Sequence, residues 1–166
     1  MNSVFVINLN LYVFQAHYAL FIESHLSPKD SILVHNCRND FSLAAIVLAA
    51  ARGCTVYVVV EPSDRDYVKK VLPKIQNVNI ITHSDNSPFY ETLMKKTQGR
   101  GVNTILNSGS LDILKLSKKC TVKHGRFIEI GNTTIDFMLD DSISDTNTSI
   151  YNININDIFE EKDDIL

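Results

Sequence analysis

The turn that leads into an alanine-rich helical run in this chain has no glycine. "HNCRNDFSLAAI", residues 35–46, follows a β-branched stretch. At such a strand-to-helix junction a phosphate loop depends on glycine, both for a tight backbone and for close approach of a phosphate to main-chain N–H groups. Cysteine is scarce too. Cys37, Cys54 and Cys120 form no CxxC pair and no Cys/His metal spacing, which points away from a disulfide framework or a zinc site and toward a reducing, cytoplasmic setting. The five histidines, His17, His25, His35, His83 and His124, show no HExxH or paired spacing, so each reads as a local polar or capping residue. No basic field is present: the net charge is -3 and the positive residues are scattered, which disfavours a nucleic-acid partner. The apolar stretch "VFVINLNLYVFQAHYALFI" lacks a basic flank and is interrupted by Asn8, Asn10, Gln15 and His17, features that argue against a signal peptide or a membrane span. There is no internal repeat.

What is there is a rhythm. From residue 31, "SILVH", "TVYVVVE", "VNIITH", "VNTILNS" and "GRFIEIG" alternate with the helical segments "FSLAAIVLAAARG", "SDRDYVKKVLPKI", "FYETLMKKT" and "LDILKLSKKC". Strands such as "TVYVVV" are apolar on both faces, as a parallel sheet covered by helices on two sides requires. The succession predicts an α/β, Rossmann-like, doubly wound parallel sheet of about five strands. Gly53 fits a helix C-terminal cap, Pro62 and Ser63 the start of the second helix, and Gly99 and Gly101 the turn into "VNTILNS". Three segments are expected: a helical segment over 1–30, the Rossmann-like core over 31–132, and a polar C-terminal segment over 133–166 whose run "IYNINI" reads as an edge strand ahead of an acidic tail. With 45% hydrophobic and 21% charged residues, the composition is that of an ordered globular domain.

At "LSPKDSILVHN", "GRGVNTILNS" and "KHGRFIEIGN", spaced as they are along this βαβ frame, the chain resembles the enoyl reductase module of animal-type fatty acid synthases and related polyketide synthases, within the medium-chain dehydrogenase/reductase superfamily. The likeness runs from about residue 4 to about residue 159 and covers the nucleotide-binding half only. The resemblance implies an incomplete medium-chain reductase domain, NADPH as cofactor, hydride transfer to the β-carbon of an enoyl thioester on acyl carrier protein, and a substrate-side domain as partner.

Carried over position by position, the resemblance gives a modified site. The family's glycine-rich run falls on Asn36, Cys37, Arg38, Asn39, Asp40, Phe41 and Ser42. Asp40 at the helix start favours the helix dipole and repels a phosphate; Asn39 reads as the N-cap; Arg38 is the candidate for a charge-assisted phosphate contact. Where the family meets the 2′-phosphate, the chain has Glu61, Pro62, Ser63, Asp64 and Arg65. Arg65 suits a phosphate, whereas Glu61 suits an unphosphorylated ribose and makes NADH possible beside NADPH. Asn107 and Ser108 match the family's asparagine-serine on the nicotinamide side. Gly131 ends the fifth strand, and Asn132 stands where the family carries a lysine proposed as proton donor, a role an amide cannot fill at neutral pH. The second acid position falls on Asn156 or Asp157. Cys37, near a helix N-terminus, is a candidate reactive thiol opposed by Asp40.

These readings converge on a degenerate nucleotide-binding half, catalytically inactive alone, either a structural remnant within a larger polypeptide or a fragmentary gene product. Two alternatives stand beside it. One is a working NADPH-dependent enoyl-thioester reductase component, completed by segments outside this chain and using Arg38, Arg65, Asn107 and Ser108. The other is a non-enzymatic interaction module that pairs an open sheet edge or face with a partner or with a second copy.

Overall fold

A computed structural model of the chain describes residues 11–72, 75–84, 88–107, 111–130 and 147–154. Helix α1 (11–17) runs into a π-helical stretch, Tyr18–Glu23. The core then alternates β1 (Ser31–His35), α2 (Asp40–Ala51), β2 (Thr55–Val60), a 3-10 turn (Pro62–Asp64), α3 (Arg65–Val71), β3 (Val78–Thr82), α4 (Phe89–Lys96), β4 (Val102–Asn107), α5 (Leu111–Lys118), β5 (Thr121–Ile130) and β6 (Ser149–Ile153). All strands are parallel, in the order β3-β2-β1-β4-β5-β6. This is the doubly wound order, which reverses between β1 and β4 and opens a crevice beyond the carboxyl ends of those strands. The sheet has six strands where the β-rich runs from residue 31 to 131 predict about five; the additional one is the "IYNINI" run, which pairs with β5 from Arg126↔Ser149 to Ile130↔Ile153 and forms the edge.

The two-faced apolar strands bury both faces, as a parallel sheet demands. On one side Ile32, Val34, Val56, Val58 and Leu106 pack against Ala45, Ile46 and Ala49 of α2, Val68 of α3, and Ala16 and Leu20 of the N-terminal helix. On the other, Leu33, Tyr57, Val59, Ile105 and Phe127 pack against Phe89 and Leu93 of α4. The alternation Ile32, Leu33, Val34 between these two clusters is the period of two expressed directly. Alanines on α2 keep the helix close to the sheet at no loss of helix propensity. The helix ends where Gly53, at φ +95, takes the left-handed conformation. Its N–H donates to the Ala50 carbonyl, and that of Cys54 to the Ala49 carbonyl, at 3.0 Å each, a Schellman closure.

The N-terminal segment is fastened at its far end. Arg126 of β5 donates to the carbonyls of Ser24 (3.0 Å) and His25 (2.9 Å) and pairs with Asp30 at 2.6 Å. These contacts satisfy helix-end carbonyls that would otherwise lack donors. Among the described residues no helix is long and apolar enough to cross a membrane.

Candidate functional site

The turn after β1 is built without glycine. Asn36 takes φ +57, a left-handed conformation that asparagine tolerates better than most residues, and its Oδ1 accepts from the Arg38 N–H at 3.3 Å. The chain then extends at Asn39 (φ -99, ψ 150), whose side chain accepts from the Ser42 N–H at 2.7 Å and caps α2. Asp40 is the first residue of that helix and is exposed. The positive end of the α2 dipole thus meets a carboxylate of the chain itself, with one of its free N–H groups already bonded.

Arg38 points elsewhere. Its guanidinium pairs with Asp64 at 2.5 Å, an ion pair that joins the turn after β1 to the 3-10 turn after β2. The hydrogen bond from Arg38 holds the Asp64 carboxyl below the usual carboxylate range and raises Arg38 in turn. Ser63 adds a bond to the same oxygen at 3.3 Å.

Between these turns lies a cleft of about 450 Å³. Its charged lining is Arg38, Glu61 and Asp64, and its apolar walls include Val60, Val68 and Ile113. Acids outnumber bases there by two to one. His35, at the end of β1, and His83, just beyond β3, complete the floor. His35 is buried, and its Nε2 lies 2.6 Å from the Ser117 Oγ. Because the Ser117 hydroxyl spends its one proton on the Ile113 carbonyl at 2.7 Å, His35 is the donor in that pair. Desolvation, aided by His83, drops the His35 pKa to about 3, so it stays neutral and offers no cation to an anionic ligand. Cys37 is buried as well. Desolvation, with a contribution from Asp64, pushes its thiol up to about 12; burial outweighs proximity to the helix N-terminus, against a reactive thiol.

The structure therefore brings Arg38 and Glu61 into one cleft and places Asn39 and Asp40 at the helix end beside it. Ser63 and Arg65 are exposed and do not line it. Asn107 is buried at the end of β4, where its Nδ2 donates to the Glu129 Oε2 at 2.8 Å. Ser108, Gly131, Asn132, Asn156 and Asp157 lie outside the described residues. Sequence reasoning missed the ion-pairing role of Asp64, the inward turn of His35, and Glu129. The last two were signalled by a polar residue at an inward position of an apolar strand, "SILVH" and "RFIEIG". Among the described residues no group of His, Cys, Asp and Glu side chains is arranged to hold a metal ion.

No family model matches the chain. It is similar to the highly reducing polyketide synthase virA of Hypocrea virens, 40% identical over 114 residues that make up 68% of this chain and 5% of that one. A highly reducing polyketide synthase of Gibberella zeae is 33% identical over 150 residues, covering 88% of this chain and 6% of that one. The chain thus spans about one-twentieth of the length of these relatives. Among solved structures, the nucleotide-binding subdomain of the enoylreductase domain of PpsC from Mycobacterium tuberculosis superposes with a TM-score of 0.77 at 20% identity, over 93% of this chain and 85% of that one. The CurF ER cyclopropanase of the curacin A biosynthetic pathway superposes with a TM-score of 0.80 at 22% identity, over 97% and 47%.

Proposed function

From the premise that the chain belongs to the highly reducing polyketide synthase family and has the fold of the nucleotide-binding subdomain of polyketide synthase enoyl reductases, in the medium-chain dehydrogenase/reductase superfamily, we propose that it serves as a scaffold half with no tight grip on a dinucleotide. It is catalytically inert in this reading. One observation carries it: at the phosphate end of the site the helix N-terminus and the cation are engaged by the protein's own groups. Asn39 caps α2, Asp40 supplies a carboxylate in the first turn, and Arg38, the cation in that turn, is paired with Asp64.

A nicotinamide dinucleotide is the cofactor that the fold implies, and the residues present do not fit its pyrophosphate. Side chains stand at the positions where the family has glycine, which hinders the close backbone approach that a pyrophosphate requires, and the facing charges are mainly acidic. Glu61, exposed at the end of β2, adds a preference against a 2′-phosphate, so that any residual binding favours NADH over NADPH.

The test is a fluorescence titration of the folded chain with NADPH and then NADH at low salt. The expected result is no saturable binding up to millimolar cofactor. Saturable micromolar binding of either would overturn the scaffold reading and favour a working reductase component. A triple variant, Asp40→Asn, Glu61→Gln and Asp64→Asn, removes the acids and frees Arg38. It is expected to bring binding up into the measurable range, because the repulsion is then gone while the cation remains.

A further inference from the structure

The other end of the sheet, where the strands begin, carries a second concavity. A depression of about 210 Å³ opens between the starts of β1, β2 and β4 and the carboxyl end of α4. Lys29, Lys96 and Arg100 stand around it, and no carboxylate lines it. None of the three cations makes an ion pair among the described residues. The acid adjacent in sequence to Lys29, Asp30, is already engaged by Arg126 and the Ser27 N–H.

Cations at the end of α4 have an ordinary explanation, since they offset the negative end of its dipole. That explanation covers Lys95 and Lys96. It does not cover Lys29, which comes from the segment before β1, and a helix end supplies only about half a negative charge against three full positive ones. The surplus is positive.

The lining adds donors without a protein acceptor among the described residues. Asn103 is held in one orientation because its Oδ1 accepts from both the N–H and the hydroxyl of Ser31, at 2.9 Å each. Its Nδ2 is therefore left with no protein acceptor among the described residues. Tyr57 lines the same depression, is only 8% exposed, and its hydroxyl likewise has no partner there. The turn beneath is stiff: the Gly101 N–H donates to Thr97 Oγ1 at 3.1 Å, and Thr97 Oγ1 donates to the Leu93 carbonyl at 3.0 Å.

We propose that this depression is a binding site for a phosphate-class anion, held by Lys29, Lys96 and Arg100 and hydrogen-bonded by Asn103 and Tyr57. A tetrahedral dianion matches several convergent donors with surplus positive charge better than a neutral ligand would. The site lies at the opposite end of the sheet from the cleft and stands independently of the scaffold reading.

Amide NMR titration of the chain with inorganic phosphate tests it, with sodium chloride at matched ionic strength separating binding from screening. Saturating shifts are expected at Thr97, Gly101 and Asn103, with a midpoint on the order of millimolar or tighter. The double variant Lys96→Gln, Arg100→Gln should weaken the midpoint by about tenfold or more while the spectrum stays dispersed. A parallel series with glycerol phosphate distinguishes sources: tighter binding of the ester assigns an organic phosphate, and equal binding assigns the free anion. Shifts that never saturate, that sodium chloride reproduces, or that the double variant leaves unchanged would overturn the proposal.

Discussion

Two turns border the sheet at opposite ends, and they distribute glycine and charge in opposite ways. The turn after β1 has no glycine, reaches its left-handed residue with Asn36, and neutralises its own cation through Arg38 and Asp64. The turn before β4 uses glycine at 99 and 101, at φ +79 and +84, and leaves Arg100 without an ion pair among the described residues. A left-handed residue alone does not require glycine; a backbone packed against the glycine does. At Gly101 an added Cβ would come within 2.2 Å of the Cys120 carbonyl oxygen, and main chain cannot move aside as a flexible side chain can.

The largest effect expected follows from that contact. Gly101→Ala combines a positive φ, which costs about 1–2 kcal/mol for a residue with a Cβ, with a clash against backbone that forces β4 and β5 apart, for a total of about 4 kcal/mol or more. Gly53→Ala is the matched control, since at φ +95 its Cβ would meet nothing within 4 Å. It should lose only the conformational part, about 1–2 kcal/mol. Urea unfolding of the two variants measures both, and equal losses would show that the Cys120 contact can relax.

The next effect belongs to the buried floor of the cleft. His35 has an ordinary pKa of 6.5 and a folded value of about 3. A base whose folded pKa is depressed binds its proton in the unfolded state first. Its contribution to stability is therefore complete above about pH 6.5 and is lost as pH falls toward 3. The loss is on the order of a few kcal/mol across that window. Urea midpoints at pH 7 and pH 4 should differ accordingly, and His35→Gln, which keeps a donor for Ser117, should reduce the difference. The exposed ion pair across the cleft mouth should contribute little by comparison, because Arg38 is 67% exposed and screened by solvent.

The sheet was legible because its signal is repeated: the three central strands, β1, β2 and β4, carry the same two-faced apolar pattern, so an error in one leaves the order intact. The helix cap at Asn39 and the closure at Gly53 were legible for a related reason, since each is a local rule acting over a few residues. The site was less so. That Arg38 spends its charge on Asp64, twenty-six positions away, depends on two loops being brought together by the β1–β2 pairing, which no local pattern states. The burial of Asn107 against Glu129 is of the same kind. It needs the register Asn107↔Glu129 between β4 and β5, whereas the family resemblance placed Asn107 only at a strand end on the nicotinamide side.

The smallest effects sharpen the comparison at the level of single hydrogen bonds. A side-chain oxygen accepts a main-chain N–H in each turn: Asn39 from Ser42 at 2.7 Å, beside the Asn36 bond to Arg38, and Thr97 from Gly101 at 3.1 Å in a buried setting. Thr97→Val keeps the shape and removes the acceptor, leaving a buried N–H unsatisfied at a cost of about 1–3 kcal/mol. Asn39→Ala removes a partly buried helix cap, with a typical loss of about 1 kcal/mol. Asn39→Ser retains an acceptor and should be close to neutral. If Asn39→Ala instead cost as much as Thr97→Val, the turn after β1 would hold its shape through the cap rather than through Asn36, and the three acids around it would then be incidental to its geometry. If the cost is about 1 kcal/mol, the acids and the cap are separable, and the charge of this turn can be reset without unfolding the helix it begins.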